Sequence, residues 1–453
     1  MNVIRQLDIY PDLLGLHLAR PQYYPFLLES VAHGTSHARY DILFACPGQT
    51  LALGRLDTLS GDGLSVRGTD FLDNLDAWWS AESIPAGDAP ELPFRGGWFV
   101  YLGYELAGQV EPCLKLPANV SNLPVAFATR IPAAVIRDHV MKRTFFVAEA
   151  DQSPLLDDME RDMKALARAA FEELPALKTS LEQDEPSRFL QGVRCIKDYI
   201  VAGDVFQVNL SRAYRGRLGE GCSHAQIYRS LRRHNPAPFA GLLTYGGSAV
   251  ISSSPERLVR VRGEVIETRP IAGTRPRGKG EEDRILSRAL LAHPKERAEH
   301  VMLIDLERND LGRVCVPGSV RVDELMALES YAHVHHIVSN VRGAKRPDVT
   351  PGQVIRAVFP GGTITGCPKV RCMEIIAELE RTARGPYTGA MGYLNRDGDM
   401  DLNILIRTLL MENDRVELRV GAGIVADSVP EAELEETRAK ARGLLLALGG
   451  ASQ

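Results

Sequence analysis

Long apolar runs, clustered charges and closely spaced cysteines are scarce in this chain of 453 residues. No segment is apolar over the roughly 20 residues that a membrane-spanning helix needs, and residues 1–8 lack the apolar core of a signal peptide. Lysine and arginine are dispersed and the formal net charge is −5, so neither nucleic acid nor a membrane is indicated as a partner. The seven cysteines have no CxxC spacing, which argues against a disulfide framework and a zinc site. We therefore expect a cytoplasmic, reduced protein.

The chain divides best into two regions, at a polar connector near residue 180. Residues 1 to about 150 are punctuated by glycine and proline and predict short strands, such as Ala133–Arg137. An amphipathic helix over Leu155–Leu174 then leads to the connector. We predict an N-terminal β-rich region, 1–180, followed by a second domain, 186–450.

A glycine-rich turn that leads into a helix, Phe359–Leu379, is the most unusual stretch of the chain. Pro368 suits the first helical position, because its fixed φ is helical and its missing N–H would have no partner there. Lys369 would then face the positive end of the helix dipole, which is unfavourable unless an anion lies nearby. The residues alone leave two interpretations open: an anion-binding turn, or an ordinary loop-to-helix junction whose lysine reaches solvent.

A predicted helix over Phe189–Val201 ends at Gly203 and is followed by a predicted strand, 204–212. Alternation along this strand places three polar side chains on one face: Gln207, Asn209 and Ser211. Taken alone, that pattern is typical of a solvated strand face.

A β-hairpin, Leu258–Ile266, is predicted to turn at Gly263–Glu264. The segment after it, 267–277, concentrates hydrogen-bond donors around a glycine: Arg269, Thr274, Arg275 and Arg277. Such a cluster suits an anionic ligand, although a surface loop explains it as well.

Two predicted helices carry glutamates three positions apart, which places each pair on one helical face. The first helix begins near Pro294 and carries Glu296 and Glu299. The second follows Ser428, interpreted as a capping box with Glu431, and it places on one side Glu433, Glu436 and Lys440. Two such faces brought together would favour Mg²⁺, whereas separate faces would form surface ion pairs.

Residues 417–426 match a strand followed by G-x-G-x-x-A, with Gly421 and Gly423 as its first two glycines, which superficially resembles a dinucleotide-binding turn. Pro430 interrupts any helix that starts at these glycines, and no βαβ unit follows. We therefore interpret the glycines as backbone that a ligand approaches closely, with exposed N–H donors.

In this order, these stretches resemble the chorismate-utilising enzymes: component I of anthranilate synthase and of aminodeoxychorismate synthase, with isochorismate and salicylate synthases as cousins. The resemblance covers most of residues 186–447. The matching stretches are Gly203–Arg212, Ser254–Glu256, Pro270–Arg277, Glu299–Leu311, Phe359–Lys369, Ile406–Thr408, Gly421–Ser428 and Glu435–Lys440. The resemblance implies an α+β fold in which two large, mostly antiparallel β-sheets pack face to face with helices outside.

The resemblance also implies a set of site residues for binding and activating chorismate. The Mg²⁺ ligands and the residues that support them would be Glu299, Glu436, Glu296 and Glu433, with the metal holding the ring carboxylate. The groups that bind the enolpyruvyl carboxylate or add charge near it would be Arg407, Tyr393, Gly421, Ala422, Gly423, Lys369 and Lys440. The ring would lie against Thr274 and His336. Glu256 would protonate the departing hydroxyl, and such a positioned acid contributes typically about 10²–10⁴-fold.

The residue at position 207, a glutamine, indicates which molecule attacks the ring as the nucleophile. The isochorismate and salicylate synthases have a lysine at this position that activates water, and a glutamine cannot act as that base. The resemblance therefore implies ammonia as the nucleophile, supplied by a separate glutamine amidotransferase subunit, because this chain shows no amidotransferase signature of its own.

The ring position that ammonia attacks is the remaining choice. Many aminodeoxychorismate synthases have a nucleophilic lysine where this chain has Ala272, and anthranilate synthases, which aminate C2, have alanine there. Other stretches look more like the folate-pathway enzyme, which aminates C4: Tyr24–Ser30, Arg39–Phe44, Phe94–Trp98, Gly362–Lys369 and Met400–Arg407. We expect aminodeoxychorismate synthase component I, with anthranilate synthase component I as the alternative.

A non-enzymatic alternative is a degenerate relative that binds chorismate or tryptophan as a regulatory subunit. Members of the family hold tryptophan between the sheets, and the matching residues of a possible tryptophan pocket here are Leu28, Glu29 and Ser30. The intact acid and carboxylate-binding positions argue against a purely regulatory role.

Overall fold

The computed structural model describes residues 2–32, 38–85, 92–166, 179–278, 280–330 and 334–449. The α-helices are α1 Leu14–Ala19, α2 Phe71–Glu82, α3 Ala107–Val110, α4 Leu155–Leu166, α5 Pro186–Ala202, α6 His224–His234, α7 Glu281–Ala292, α8 Pro294–Gly312, α9 Pro351–Val358, α10 Lys369–Glu380 and α11 Pro430–Ala447. The β-strands are β1 Asn2–Leu7, β2 Phe26–Glu29, β3 Tyr40–Ala45, β4 Thr50–Leu53, β5 Leu59–Gly61, β6 Gly97–Leu102, β7 Ala126–Ile131, β8 Ala133–Asp138, β9 Arg143–Glu149, β10 Thr179–Gln183, β11 Gln207–Leu218, β12 Phe239–Tyr245, β13 Ser248–Ser254, β14 Arg257–Arg262, β15 Val265–Thr268, β16 Ile271–Pro276, β17 Arg321–Ser330, β18 Val334–Ala344, β19 Gly366–Cys367, β20 Ala390–Asn395, β21 Met400–Ile404, β22 Thr408–Glu412 and β23 Arg415–Ile424.

These strands form two large sheets of antiparallel pairs. The first has the order β1-β9-β8-β3-β2-β12-β13-β22-β23-β11-β10, and β19 pairs with β11. The second has the order β16-β18-β15-β14-β21-β20-β6-β7-β4-β5, and β17 pairs with β18.

The two sheets pack face to face around an aromatic-rich core. Phe26 of the first sheet stacks on Phe99 of the second, with ring centroids 4.0 Å apart, and Phe44 and Phe127 extend the same cluster. The outer face of the first sheet packs against α1, α4, α6 and α11, and that of the second against α2, α8 and α9. The predicted architecture, two large antiparallel sheets with helices outside, is confirmed.

Strands from the two predicted regions are neighbours in both sheets. In the first sheet Leu27 of β2 pairs with Leu242 of β12, and in the second Trp98 of β6 pairs with Leu394 of β20. Both regions contribute strands to each sheet. The division of the chain into 1–180 and 186–450 therefore stays a prediction.

Several local predictions agree with the structure. The predicted hairpin is β14–β15, with Gly263 and Glu264 between its strands, because a glycine with φ of +57° permits the tight turn. Gly203 ends α5 in the left-handed conformation, with φ of +85°. No helix in the described ranges is long and apolar enough to cross a membrane, and the cytoplasmic location stays a prediction.

Two predictions about helix starts are wrong in detail. Pro368 immediately precedes α10 with an extended conformation, so Lys369 is the first helical residue. The Ser428–Glu431 capping box does not form, because the Ser428 hydroxyl accepts a hydrogen bond from the Val425 N–H at 3.1 Å and α11 begins at Pro430.

Candidate active site

Glu256 lies in the short connection between β13 and β14 and is buried, with 5% of its surface exposed. Burial raises the pKa of its carboxyl group to about 7, and Thr363 and Arg407 oppose that rise. The backbone fixes its position, because its N–H donates to Ser254 Oγ at 3.3 Å and its carbonyl accepts from Ile404 at 3.0 Å. A carboxylic acid of this pKa holds its proton near neutral pH and can donate it.

Arg407 immediately precedes β22 and carries the positive charge that acts on Glu256. Its φ of +53° is unusual for a residue with a side chain, and such strain is concentrated at functional positions. Burial lowers the pKa of the guanidinium, whereas Tyr387, Glu256 and Glu436 raise it. No carboxylate of the described residues forms an ion pair with Arg407, so this half-buried cation is suited to bind an anionic ligand.

The edge of β23 beside Arg407 is available to a ligand. β22 pairs with β23 only as far as Leu418, whereas β11 pairs with the other side of β23 as far as Ile424. The segment 419–424 thus has a described strand on one side only, and it contains Gly421, Ala422 and Gly423. Backbone N–H groups at such an edge can bind a carboxylate.

Lys440 ties α11 to this edge. Its Nζ donates to the Gly421 carbonyl at 3.0 Å and lies 2.6 Å from Glu436 Oε1. Glu436 and Lys440 lie one helical turn apart on α11. The helical face that carries them is therefore directed towards the part of β23 that contains Gly421.

The predicted polar face of β11 is buried rather than solvated. Gln207, Asn209 and Ser211 are each less than 10% exposed. Gln207 Oε1 and Asn209 Oδ1 have no hydrogen-bond partner among the described residues. A Cβ at Gly423 would collide with Gln207, and one at Gly421 would lie 2.8 Å from Asn209 Oδ1, so the glycines leave room for these side chains.

His336 is buried on β18, where its Nδ1 lies 3.3 Å from the Gly273 carbonyl. Burial lowers the pKa of its imidazole to about 4, and Arg407 contributes to that shift, so the ring is neutral at ordinary pH. The backbone of Thr274 pairs with His336, while the side chain of Thr274 lies outside the described part of the structure.

The four glutamates predicted to bind or support Mg²⁺ lie on helices that cover different sheets. α8 carries Glu296 and Glu299, both half-buried, and α11 carries buried Glu433 and exposed Glu436. Among the described residues, no three His, Cys, Asp or Glu side chains gather as a metal site. The assignment of Glu299 and Glu436 as ligands, with Glu296 and Glu433 in support, stays a prediction. One or two carboxylates are nevertheless sufficient for Mg²⁺, which completes its shell with water and substrate oxygens. The donor chemistry of Glu299 and Glu436 fits that ion.

Lys369 has a carboxylate partner within the protein. Its Nζ lies 2.6 Å from Asp310 Oδ2, and Asp310 is 3% exposed. The anion expected beside Lys369 is therefore the carboxylate of Asp310, so the lysine does not depend on a bound ligand for a partner. Glu307, one turn earlier on α8, is also buried, and burial together with Asp310 raises the pKa of its carboxyl group to about 8.

A cavity of about 330 Å³ lies between the sheets, and Glu256 is not among the residues that line it. Leu28, Glu29 and Ser30 line it together, which agrees with their prediction as one pocket. Tyr393 also lines this cavity, so the structure does not place it beside the glycine strand. The tyrosine at that strand is Tyr387, whose hydroxyl would lie 2.7 Å from a Cβ at Gly421. No pattern in the sequence distinguishes it from Tyr393.

The comparisons with known proteins agree with this geometry. The family model described as "chorismate binding enzyme" matches residues 26–446. The chain belongs to this family. An anthranilate synthase component I-like protein of Synechocystis is 45% identical over 79% of this chain and 74% of its own length. Aminodeoxychorismate synthase component 1 of Bacillus subtilis is 40% identical over 95% of this chain and 93% of its own length.

A solved structure shares the fold of this family member. Anthranilate synthase component I of Streptococcus pneumoniae superposes with a TM-score of 0.80 at 33% identity, covering 91% of this chain and 93% of that one. The relatives therefore include component I of two different synthases, and the comparisons establish an enzyme of the chorismate-binding family.

Proposed function

We propose that this chain is component I of an aminodeoxychorismate synthase, which aminates chorismate with ammonia to give 4-amino-4-deoxychorismate for 4-aminobenzoate and folate synthesis. The observations that support amination best are a buried acid, Glu256, and a buried amide, Gln207, which lies on β11 beside Gly423. A carboxyl group of pKa about 7 can protonate a leaving hydroxyl, and an amide cannot deprotonate water.

Chorismate carries two carboxylates, and the cluster provides two places for them. The enolpyruvyl carboxylate binds Arg407 and the open edge of β23, where Lys440 holds the backbone at Gly421. Glu299 and Glu436 would hold Mg²⁺, which neutralises the ring carboxylate when it is bound. Neutral His336 lies against the ring without competing for either anion.

The reaction balances within this set of groups. The nitrogen of ammonia forms a bond to the ring, the ring C4–O bond breaks, and the hydroxyl leaves as water with the proton of Glu256. The nitrogen then loses one proton, which returns to the Glu256 carboxylate and restores the acid. A glutamine amidotransferase subunit is the proposed source of ammonia, because the relatives named above are first components of synthases.

Anthranilate synthase component I is the second candidate, and Ala272 is the observation that favours it. Ala272 is 8% exposed on β16, one residue from Gly273 and close to the carbonyl that His336 contacts. An alanine there excludes covalent catalysis by a lysine, so amination at C4 requires direct attack by ammonia. Attack at C2 would yield anthranilate.

A regulatory binding subunit is the third candidate, with tryptophan in the cavity lined by Leu28, Glu29 and Ser30. The presence of both Glu256 and Arg407, whose charges act on each other, argues against this role. Binding of chorismate or tryptophan without turnover would support it.

The experiment is product analysis after incubation with chorismate, Mg²⁺ and an ammonium salt at mildly alkaline pH, with and without added aminodeoxychorismate lyase. 4-Aminobenzoate formed only with the lyase supports the proposal. Anthranilate formed without the lyase would assign the chain to tryptophan synthesis, and isochorismate would exclude ammonia as the nucleophile.

A further inference from the structure

His17 and His224 bring two imidazoles together on the outer face of the first sheet. His17 lies on α1 and is fully buried, and His224 is the first residue of α6, 207 positions later in the chain. Their Nε2 atoms are 2.9 Å apart, and the two rings are nearly perpendicular, with an interplanar angle of 77°. The contact therefore joins the predicted regions 1–180 and 186–450.

The hydrogen-bond partners determine which ring nitrogens carry a hydrogen. His17 Nδ1 lies 2.7 Å from the Tyr24 carbonyl, which can only accept, so the hydrogen is on Nδ1 and the lone pair is on Nε2. His224 Nε2 donates to that lone pair. Metal-ligating histidines are commonly held in the form found at His17, with one ring N–H bound to a backbone carbonyl and the other nitrogen presented as a base.

Both rings are neutral at ordinary pH. Burial lowers the pKa of His17, and burial together with His17 lowers the pKa of His224 to about 4. Metal ions bind the neutral imidazole, so protons do not compete for these two nitrogens near neutral pH.

The separation of the two nitrogens indicates the kind of metal that fits. Two ligands at right angles, each about 2.1 Å from a metal, lie about 3.0 Å apart, whereas a tetrahedral arrangement places them about 3.4 Å apart. The observed 2.9 Å matches the right-angled arrangement, which Cu²⁺ and Ni²⁺ adopt with nitrogen and oxygen ligands. Mg²⁺ prefers oxygen ligands and would not compete.

A separate cavity of about 360 Å³ gives solvent access to His224, which lines it together with Gln22, Thr244 and Ser248. None of the residues predicted to bind chorismate or Mg²⁺ lines this cavity. Within the described part of the chain, no third His, Cys, Asp or Glu joins the pair. Water from the cavity would therefore supply the remaining ligands.

We propose that His17 and His224 form a binding site for a divalent late transition metal, Ni²⁺ or Cu²⁺, which clamps α1 to α6. On binding, each Nε2 forms one bond to the metal. The hydrogen of His224 moves from Nε2 to Nδ1 by way of water. One N–H···N hydrogen bond is thus replaced by two metal–nitrogen bonds, and no proton is released. The site does not depend on the proposed function.

The test is calorimetric titration of the full chain with Ni²⁺, in excess Mg²⁺ so that carboxylate sites are occupied. One Ni²⁺ per chain is expected, and Ni²⁺ should raise the Tm because it binds this pair only in the folded protein. His17→Gln and His224→Gln should each lower the affinity at least about tenfold, since even the loss of an outer-shell partner costs about 10–100-fold. His224 is only half-buried, so His224→Gln tests the site even if His17→Gln does not fold.

His234→Gln is the matched control. His234 also lies on α6, and its Nδ1 is 2.9 Å from the Ser230 carbonyl, but it is exposed and pairs with no other histidine of the described residues. Its replacement should leave the Ni²⁺ affinity unchanged. Wild-type protein that binds no Ni²⁺, or an affinity that His224→Gln and His234→Gln change equally or not at all, would overturn the site.

Discussion

Arg384 is buried and Arg407 is half-buried, both near Tyr387, and their surroundings differ in charge. Arg384 donates to Glu380 at 2.6 Å, and Arg419 approaches the same carboxylate at 3.1 Å. Arg407 has no such partner among the described residues and is held with a positive φ. We call the first group, Glu380, Arg384 and Arg419, the Glu380 cluster. Its charges stabilise the protein's own structure, whereas the charge of Arg407 is proposed to bind a substrate.

Among the changes at the candidate site that contains Arg407, Glu436→Ala should have the largest effect on activity. We expect it to abolish Mg²⁺-dependent amination and to leave the fold intact, because Glu436 is 51% exposed at its side chain. Activity titrated with Mg²⁺, together with circular dichroism, measures both effects. Normal turnover in this variant would exclude Glu436 as a metal ligand.

Glu256→Gln should lower kcat by about 10²–10⁴-fold, since the amide keeps the shape of the acid but has no proton to donate. Glu105→Gln is the matched control, because burial raises the pKa of Glu105 to about 7 as well, but its carboxylate accepts from the Arg384 and Gly385 backbone. Rates measured at saturating chorismate distinguish the two. A comparable loss in both variants would show that the effect is structural.

Exchanging each arginine for leucine tests the comparison directly. Arg407→Leu should raise KM for chorismate about ten- to a hundredfold, the value of a charged hydrogen bond, without lowering thermal stability. Arg384→Leu should instead destabilise the protein by about 3–5 kcal/mol, because Glu380 loses a buried partner. Denaturant unfolding and initial rates give the two readouts. Equal destabilisation by both variants would contradict the distinction.

The pH dependence of turnover should show the smallest of these effects. The folded-state pKa of Glu256 is raised to about 7, so the active, protonated form is complete below that pH and is lost as pH rises through it. At constant free ammonia, kcat/KM for chorismate should fall about tenfold per unit well above pH 7. Profiles of the wild-type protein that stay flat between about pH 6 and 9 would remove Glu256 as the acid.

Features that depend on neighbouring residues were predictable from the sequence. The β14–β15 hairpin and the end of α5 at Gly203 follow from turn and capping preferences within a few positions. The capping box predicted at Ser428 does not form, because the hydroxyl accepts a hydrogen bond from the Val425 N–H instead. Such local preferences fail where a second donor competes for the same acceptor.

Features of the site that depend on distant contacts were not predictable. The partner of Lys369, Asp310, is 59 positions away, and no local pattern joins them. Alternation along β11 correctly predicted that Gln207, Asn209 and Ser211 share one face. The burial of that face depends on β23, about 200 positions later in the chain. The choice of Tyr393 came from resemblance, and only the packing of the sheets shows that Tyr387 faces Gly421.

The interleaving of the two sheets has a consequence for synthesis of the chain. β6 is apolar and buried along all six residues, and its partner β20 follows about 300 positions later. A ribosome adding about 5–20 residues per second makes that partner roughly 15–60 seconds after β6. The first third of the molecule must therefore wait, with its strands unpaired on one side, until the last third has been translated. Protection of this nascent segment from aggregation, by chaperones or by transient local pairing, is a requirement of the fold itself.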